Sequence, residues 1–220
     1  MADGVVLVGL PGSGKTVVGR LLAERIGRPF ADTDELVQRR TGRSPAAIID
    51  EDGEPAFRAA ERLAIGTIEP GAVVATGGGA LNEPLNRWDL WRHGAAVWLD
   101  APAELLASRL TSDGARRPLL APDPHSGLRR LSAERAPFYR AADRVVDADR
   151  PPAVIADELA SRVAAPTERR LFDAEVERHH PLGPTHARVV LGVELELPSH
   201  GRSSLIVDAR LTRLQPRLVA

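Results

Sequence analysis

The chain has 220 residues with 29 basic and 30 acidic side chains, a formal net charge of -1, which suits one well-buried α/β domain with an appendage and is too short for two full domains. Near-neutral charge excludes partners held by bulk electrostatics, so neither nucleic acid nor an anionic membrane is expected and any phosphate binding must be local. The absence of cysteine excludes disulfides, thiolate metal sites and cysteine nucleophiles.

In chain order, Met1-Ala2-Asp3-Gly4 leads into an apolar strand without a basic region or a cleavage site, and no run of eighteen apolar residues follows, so a cytoplasmic protein is expected. Gly4 to Gly9 is a short β-rich run. After a glycine loop, Val17, Val18, Leu21, Leu22 and Ile26 recur at helical spacing before Gly27. Apolar runs return at 72–75, 95–99 and 144–146, separated by helical stretches such as 103–110 and 154–163. Strands alternating with helices predict a parallel sheet covered on both faces. Residues 111–127, rich in Gly, Pro, Asp and Arg, read as a mobile lid between helices. Beyond Ala165 the text changes to a polar linker. Strand-like alternation over 189–197 follows, then a second run at 201–207 with Leu211, Leu214 and Leu218 at helical spacing.

Gly9-Leu10-Pro11-Gly12-Ser13-Gly14-Lys15-Thr16 fits G-x-x-x-x-G-K-[ST] between a strand and a helix. Backbone N–H groups of such a loop converge on phosphate oxygens, and the helix amino end adds about half a unit of positive charge. ATP binding is therefore assigned to Gly12, Ser13, Gly14, Lys15, Thr16 and Val17. Lys15 is the only lysine in a chain that otherwise uses arginine, as expected where a compact ammonium must reach the phosphates. The Thr16 hydroxyl is suited to ligate Mg²⁺.

Asp32 and Asp34 stand two apart at the end of a predicted strand, and point to one side if the strand runs through both. Asp32 then suits Mg²⁺ or its water, and Asp34 an attacking hydroxyl. The competing reading is that the pair caps a helix starting near Glu35.

Taken in order, the loop, Asp32-Thr33-Asp34, Phe57-Arg58 with Glu61, Gly77-Gly78-Gly79, Arg117-Pro118-Leu119-Leu120 and Arg135-Ala136-Pro137-Phe138-Tyr139 resemble the shikimate kinase family over about residues 3–163. The resemblance implies a three-layer P-loop kinase fold of class α/β, its five-stranded parallel sheet ordered 2-3-1-4-5. It also implies a monomeric kinase domain that uses ATP with Mg²⁺ to phosphorylate the 3-hydroxyl of shikimate. Asp34, Arg58, Gly77, Gly78, Gly79 and Arg135 would surround shikimate, with both arginines on its carboxylate, for which their planar forks are chemically suited. Lys15, Asp34 and Arg117 would be catalytic, with Arg117 arriving by lid closure. Members of the family often carry an adenine-stacking arginine seven residues before the Arg-Pro pair. That position here is Leu110, which leaves Arg109 and Arg150 as candidates for the adenine side. A gluconate kinase or a regulatory nucleotide-binding module are the competing expectations.

The domain boundary is expected at Ala165. Residues 166–220 resemble, weakly, the opening of 3-dehydroquinate synthase, which implies a linker and the truncated start of a fused second enzyme. An unrelated extension is the alternative.

Overall fold

The structure is a computed structural model that describes residues 4–113, 120, 123–163, 191–197 and 201–207. Five parallel strands form the main sheet: β1 (Gly4–Val8), β2 (Phe30–Asp32), β3 (Val73–Ala75), β4 (Gly94–Asp100) and β5 (Arg144–Asp147). Their order is β2-β3-β1-β4-β5, as expected. Around them lie α1 (Lys15–Ile26), α2 (Thr33–Thr41), α3 (Pro45–Asp52), α4 (Glu54–Ile65), α5 (Pro84–His93), α6 (Ala103–Asp113), α7 (Pro124–Tyr139) and α8 (Pro152–Val163).

The alternation of side chains along β1 builds two cores. Val6 and Val8, with Val74 and Ala96, pack against Leu90 and Trp91 of α5, Leu106 of α6 and Leu128 of α7. Val5 and Leu7, with Val73 and Val97, pack against Leu22 of α1 and Leu159 of α8. Successive strand residues face opposite ways, so a strand flanked by helices on both sides must be apolar throughout. A smaller cluster of Val37, Ile48, Phe57 and Ala64 ties α2, α3 and α4 together.

The chain moves from β1 out to β2 and back through β3 on one side, then continues to β4 and β5 on the other. The carboxyl end of β1 is thus a topological switch point, the crevice where open α/β sheets take ligands. The loop of residues 9–16 sits there.

The segment 111–127, read from the sequence as a mobile lid, carries helix at both of its ends. Helix α6 runs on to Asp113, and α7 begins at Pro124. The Asp123 carboxylate accepts from the His125 and Ser126 N–H groups at 3.0 and 3.1 Å, and proline at the first helical position leaves no N–H unsatisfied. The Asp-Pro pair starts a helix here. Leu120 is buried, in contact range of Gly127, where an added Cβ would lie 3.0 Å from the Leu120 Cα.

In the tail, β6 (Leu191–Leu197) and β7 (Gly201–Val207) pair antiparallel as a separate two-stranded sheet, from Leu191 opposite Val207 to Leu197 opposite Gly201. The helical spacing at Leu211, Leu214 and Leu218 lies outside the described residues. Among those described, no helix is long and apolar enough to cross a membrane.

Candidate active site

Helix α1 opens on Gly14, whose φ of 85° lies in the left-handed region. Only glycine takes that conformation without strain, and it turns the chain sharply from the loop into the helix. No side chain caps the amino end and no acidic residue stands in its first turn. The first N–H groups are left to an anion. Lys15 is buried, its Nζ donating to the carbonyl oxygens of Gly9 at 2.9 Å and Leu10 at 2.8 Å and to Ser13 Oγ at 3.4 Å. Those contacts hold the ammonium against the loop. Val17, in the first turn of α1, is exposed.

The Thr16 hydroxyl donates to Asp32 Oδ2 at 2.7 Å, while Asp32 Oδ1 accepts from the Asp34 N–H at 2.9 Å and the Glu35 N–H at 3.4 Å. Asp32 therefore caps α2 with one oxygen, as the competing reading expected, and faces the Thr16 hydroxyl with the other. The strand argument for Asp32 and Asp34 does not hold, because β2 ends at Asp32 and Asp34 belongs to the first turn of α2. The cap itself terminates the strand. Asp34 still reaches the site, by a helical turn rather than by alternation.

The turn Gly77–Gly79 follows β3. An ideal Cβ on Gly77 would stand 2.6 Å from Glu61 Oε1 and 2.8 Å from Asp34 Oδ1, and one on Gly78 would stand 3.1 Å from Arg135 Nη1. A Cβ on Gly79 would overlap the Arg58 guanidinium, 2.9 Å from its Cζ. Each glycine is thus faced by charged side chains of its own, two at Gly77 and one each at Gly78 and Gly79. The same virtual atom on Gly78 would lie 3.0 Å from Pro11 Cδ, so the turn lies directly against the phosphate loop. Two side-chain hydrogen bonds pin it: the Gly77 N–H to Thr33 Oγ1 at 2.6 Å, and the Tyr139 hydroxyl to the Gly78 carbonyl.

Helix α4 carries Glu54, Arg58 and Glu61 on one stripe. Arg58 pairs with Glu54 at 2.8 Å and with Glu61 Oε2 at 2.7 Å. Burial works against the Arg58 charge, but the two carboxylates outweigh it and hold its pKa above the ordinary value. Burial pushes the fully enclosed Glu61 carboxyl up to about 7 against the pull of Arg58, with Asp34 adding to the rise. Glu61 Oε1 has no hydrogen-bond partner. From α7, Arg135 is 3 % exposed and its Nε has no hydrogen-bond partner. Beside it, burial raises the Tyr139 hydroxyl to about 12 against the opposing pull of Arg135, so the hydroxyl stays protonated as a donor.

Away from the turn, Arg109 Nη2 donates to the Ala148 carbonyl at 3.0 Å and lies 3.8 Å from Asp149 Oδ1, against the loop between β5 and α8. Leu110 is buried and packs towards Gly12. Arg150 turns back onto α8, where it pairs with Glu158 at 2.7 Å. Arg117 lies outside the described residues.

Glu61 and Tyr139 stand within the sequence motifs without an assigned task, and Thr33 likewise has none. The spacing of Glu54, Arg58 and Glu61 at i, i+4 and i+7 was a legible signal of one helical face. Nothing local marked Thr33 or Tyr139, whose partners are 44 and 61 residues away.

The family model for shikimate kinase matches residues 11–164. Shikimate kinase of Symbiobacterium thermophilum is 52% identical over 145 residues, 64% of this chain and 83% of that protein. That of a Synechococcus strain is 43% identical over 166 residues, 73% of this chain and 87% of the relative. Among solved structures, shikimate kinase from Acinetobacter baumannii in complex with shikimate aligns with a TM-score of 0.69 at 35% identity, covering 73% of this chain and 92% of the other.

Proposed function

This chain belongs to the shikimate kinase family, and from that premise we propose that it transfers the γ-phosphoryl group of ATP to the 3-hydroxyl of shikimate, giving shikimate 3-phosphate and ADP. The observation that carries the reading is the convergence of Asp34, Arg58, Glu61 and Arg135 on the Gly77–Gly79 turn, which itself lies against Pro11 of the phosphate loop. That arrangement suits an anionic, hydroxyl-bearing acceptor next to a nucleotide. Arg58 and Arg135 bind the shikimate carboxylate through charge-assisted hydrogen bonds. The glycines let the acceptor ring approach the backbone where side chains would collide.

The N–H groups of Gly12 to Val17 hold the ATP phosphates, and Lys15 swings from the loop carbonyls to the transferring group. Arg109 and Arg150 flank the adenine. Asp34 accepts the proton of the 3-hydroxyl as its oxygen bonds to the γ-phosphorus and the bond to the β–γ bridging oxygen breaks, releasing ADP. Arg117, which lies outside the described residues, is assigned to stabilising charge on that group.

The donor set of Thr16 and Asp32 fits Mg²⁺, a hard cation that takes one or two protein oxygens and completes its shell with phosphate and water. Bound there, Mg²⁺ supplies charge neutralisation to the phosphates. We assign this activity to a monomeric cytoplasmic unit of residues 1–165. The end of the family match at residue 164 and the separate β6–β7 sheet support that boundary. Residues 166–220 form a linker and extension, read from its resemblance to 3-dehydroquinate synthase as the start of a fused partner.

The test is ADP release by the purified full chain with ATP and Mg²⁺, measured without acceptor and with shikimate or gluconate. Release dependent on shikimate alone is expected. Dependence on gluconate, or release indifferent to both, overturns the proposal.

A further inference from the structure

One buried polar group that the proposed chemistry does not use is Arg87 of α5. Its side chain is fully enclosed. Nη1 donates to the carbonyl oxygen of Leu81 and, at 3.1 Å, to that of Asn82, while the guanidinium carbon stands 4.4 Å from the centre of the Phe138 ring on α7. Both contacts lead to the acceptor side of the site. Leu81 and Asn82 end the 3-10 turn Ala80–Asn82 that follows Gly79, and Ala80 and Asn82 donate their N–H groups back to the Gly77 and Gly79 carbonyls at 3.0 and 2.9 Å. Phe138 lies between Arg135 and Tyr139 along α7, and Tyr139 in turn holds the Gly78 carbonyl.

One guanidinium therefore joins the far end of the glycine turn to the helix that carries Arg135. Enclosing a charge is costly, and an apolar side chain of similar volume would serve packing as well or better. What an apolar residue cannot do is fix two carbonyls and an aromatic face at once, a task suited to a planar fork.

We propose that Arg87 is a positioning residue that holds the Gly77–Gly79 turn in register with Arg135 and Tyr139, and thereby sets affinity for the acceptor while leaving the nucleotide site alone. The proposal rests on the shikimate kinase reading for the identity of the acceptor. It does not need that reading for the clamp.

The experiment compares the full chain with Arg87→Met, Arg87→Lys and Phe138→Leu, measuring KM for shikimate, KM for ATP, kcat, the melting temperature and hydrogen exchange at the Ala80 and Asn82 amides. Arg87→Met is expected to raise KM for shikimate by about 10-fold to 10²-fold, the cost of a small displacement in a positioning group, with KM for ATP within about 2-fold. Its two amides should exchange faster. Arg87→Lys, which keeps a donor and loses the plane, should recover part of the loss, and Phe138→Leu should weaken shikimate in the same sense. Should Arg87→Met fail to fold, Arg87→Lys carries the same split between the two KM values. Parallel changes in both KM values in proportion to lost stability would reduce Arg87 to a packing role and overturn the proposal, as would an unchanged KM for shikimate. If the wild type does not phosphorylate shikimate yet Arg87→Met still loosens the two amides, the activity reading fails and the clamp stands.

Discussion

Arg58 and Glu61 make a partly buried ion pair on α4, Nη1 to Oε2 at 2.7 Å, in which burial of Glu61 nevertheless holds its carboxyl at about 7 against an ordinary 4.5. Folding therefore raises this pKa, and between those two values the native chain binds a proton that the unfolded chain has released. The contribution of Glu61 to stability is fully present below 4.5 and is lost as pH rises through about 7. The shift corresponds to about 3 kcal/mol. Urea unfolding of the wild type and Glu61→Gln over this range should show the wild type losing that much relative to the variant as pH rises. A difference that stays flat with pH would mean that Glu61 is ionised throughout.

Removing either arginine of the acceptor site should weaken shikimate selectively. Arg58→Ala and Arg135→Ala are each expected to cost about 2 to 5 kcal/mol of shikimate binding, the usual loss when one member of a buried hydrogen-bonded charge pair is truncated. ATP affinity should barely move. Gly79→Ala should act in the same direction, since its Cβ would displace an Arg58 already held by Glu54 and Glu61. Calorimetric titration of each ligand in turn checks this, and loss of ATP in place of shikimate would put the acceptor pocket elsewhere.

Asp34 stands beside Glu61 at the Gly77 turn, which suits a group that takes a hydroxyl proton. Asp34→Asn keeps the shape and one acceptor oxygen but removes the basicity. Substrate should still bind while kcat falls by about 10²-fold or more, within the range of general-base assistance. Steady-state kinetics decides it. Unchanged turnover would leave Asp34 a purely structural place in the first turn of α2.

Lys15 is enclosed by the carbonyls of Gly9 and Leu10 and by Ser13 Oγ, a cradle sized for an ammonium. Lys15→Arg should lower turnover by at least about 10²-fold, the scale of removing one preorganised charge-stabilising donor, while the melting temperature stays within a few degrees. A variant with near wild-type turnover would mean that any cation suffices at this position.

The parallel sheet and the hairpin β6–β7 are separate sheets, and the family match stops at residue 164. A chain shortened to residues 1–165 should therefore fold and phosphorylate shikimate at essentially the full-length rate. Expression of both lengths and comparison of their specific activities is sufficient. Precipitation or inactivity of the shorter form alone would show that the tail packs on the kinase core, and would move the boundary.

The sequence by itself determined the elements whose signals are local. The strand, glycine loop and helix of residues 4–26 could be read from composition, positive-φ chemistry and 3.6-residue spacing, because each depends on neighbours a few positions away. Glu54, Arg58 and Glu61 carry a signal of the same kind, since a helix of known pitch fixes which residues share a face, but no helix over 54–65 is among the elements predicted from the sequence. The order of strands came from resemblance, because nothing in an apolar run says which other run it will pair with. Tertiary structure alone decided the rest. It set Asp34 on a helical turn, where the Asp32 cap ends the strand. It also brought Thr33 to Gly77, Tyr139 to Gly78 and Arg87 to Phe138. Those contacts join residues 44, 61 and 51 positions apart, and a pairing of that range is set by packing of the sheet and its helices, of which a linear pattern carries no trace.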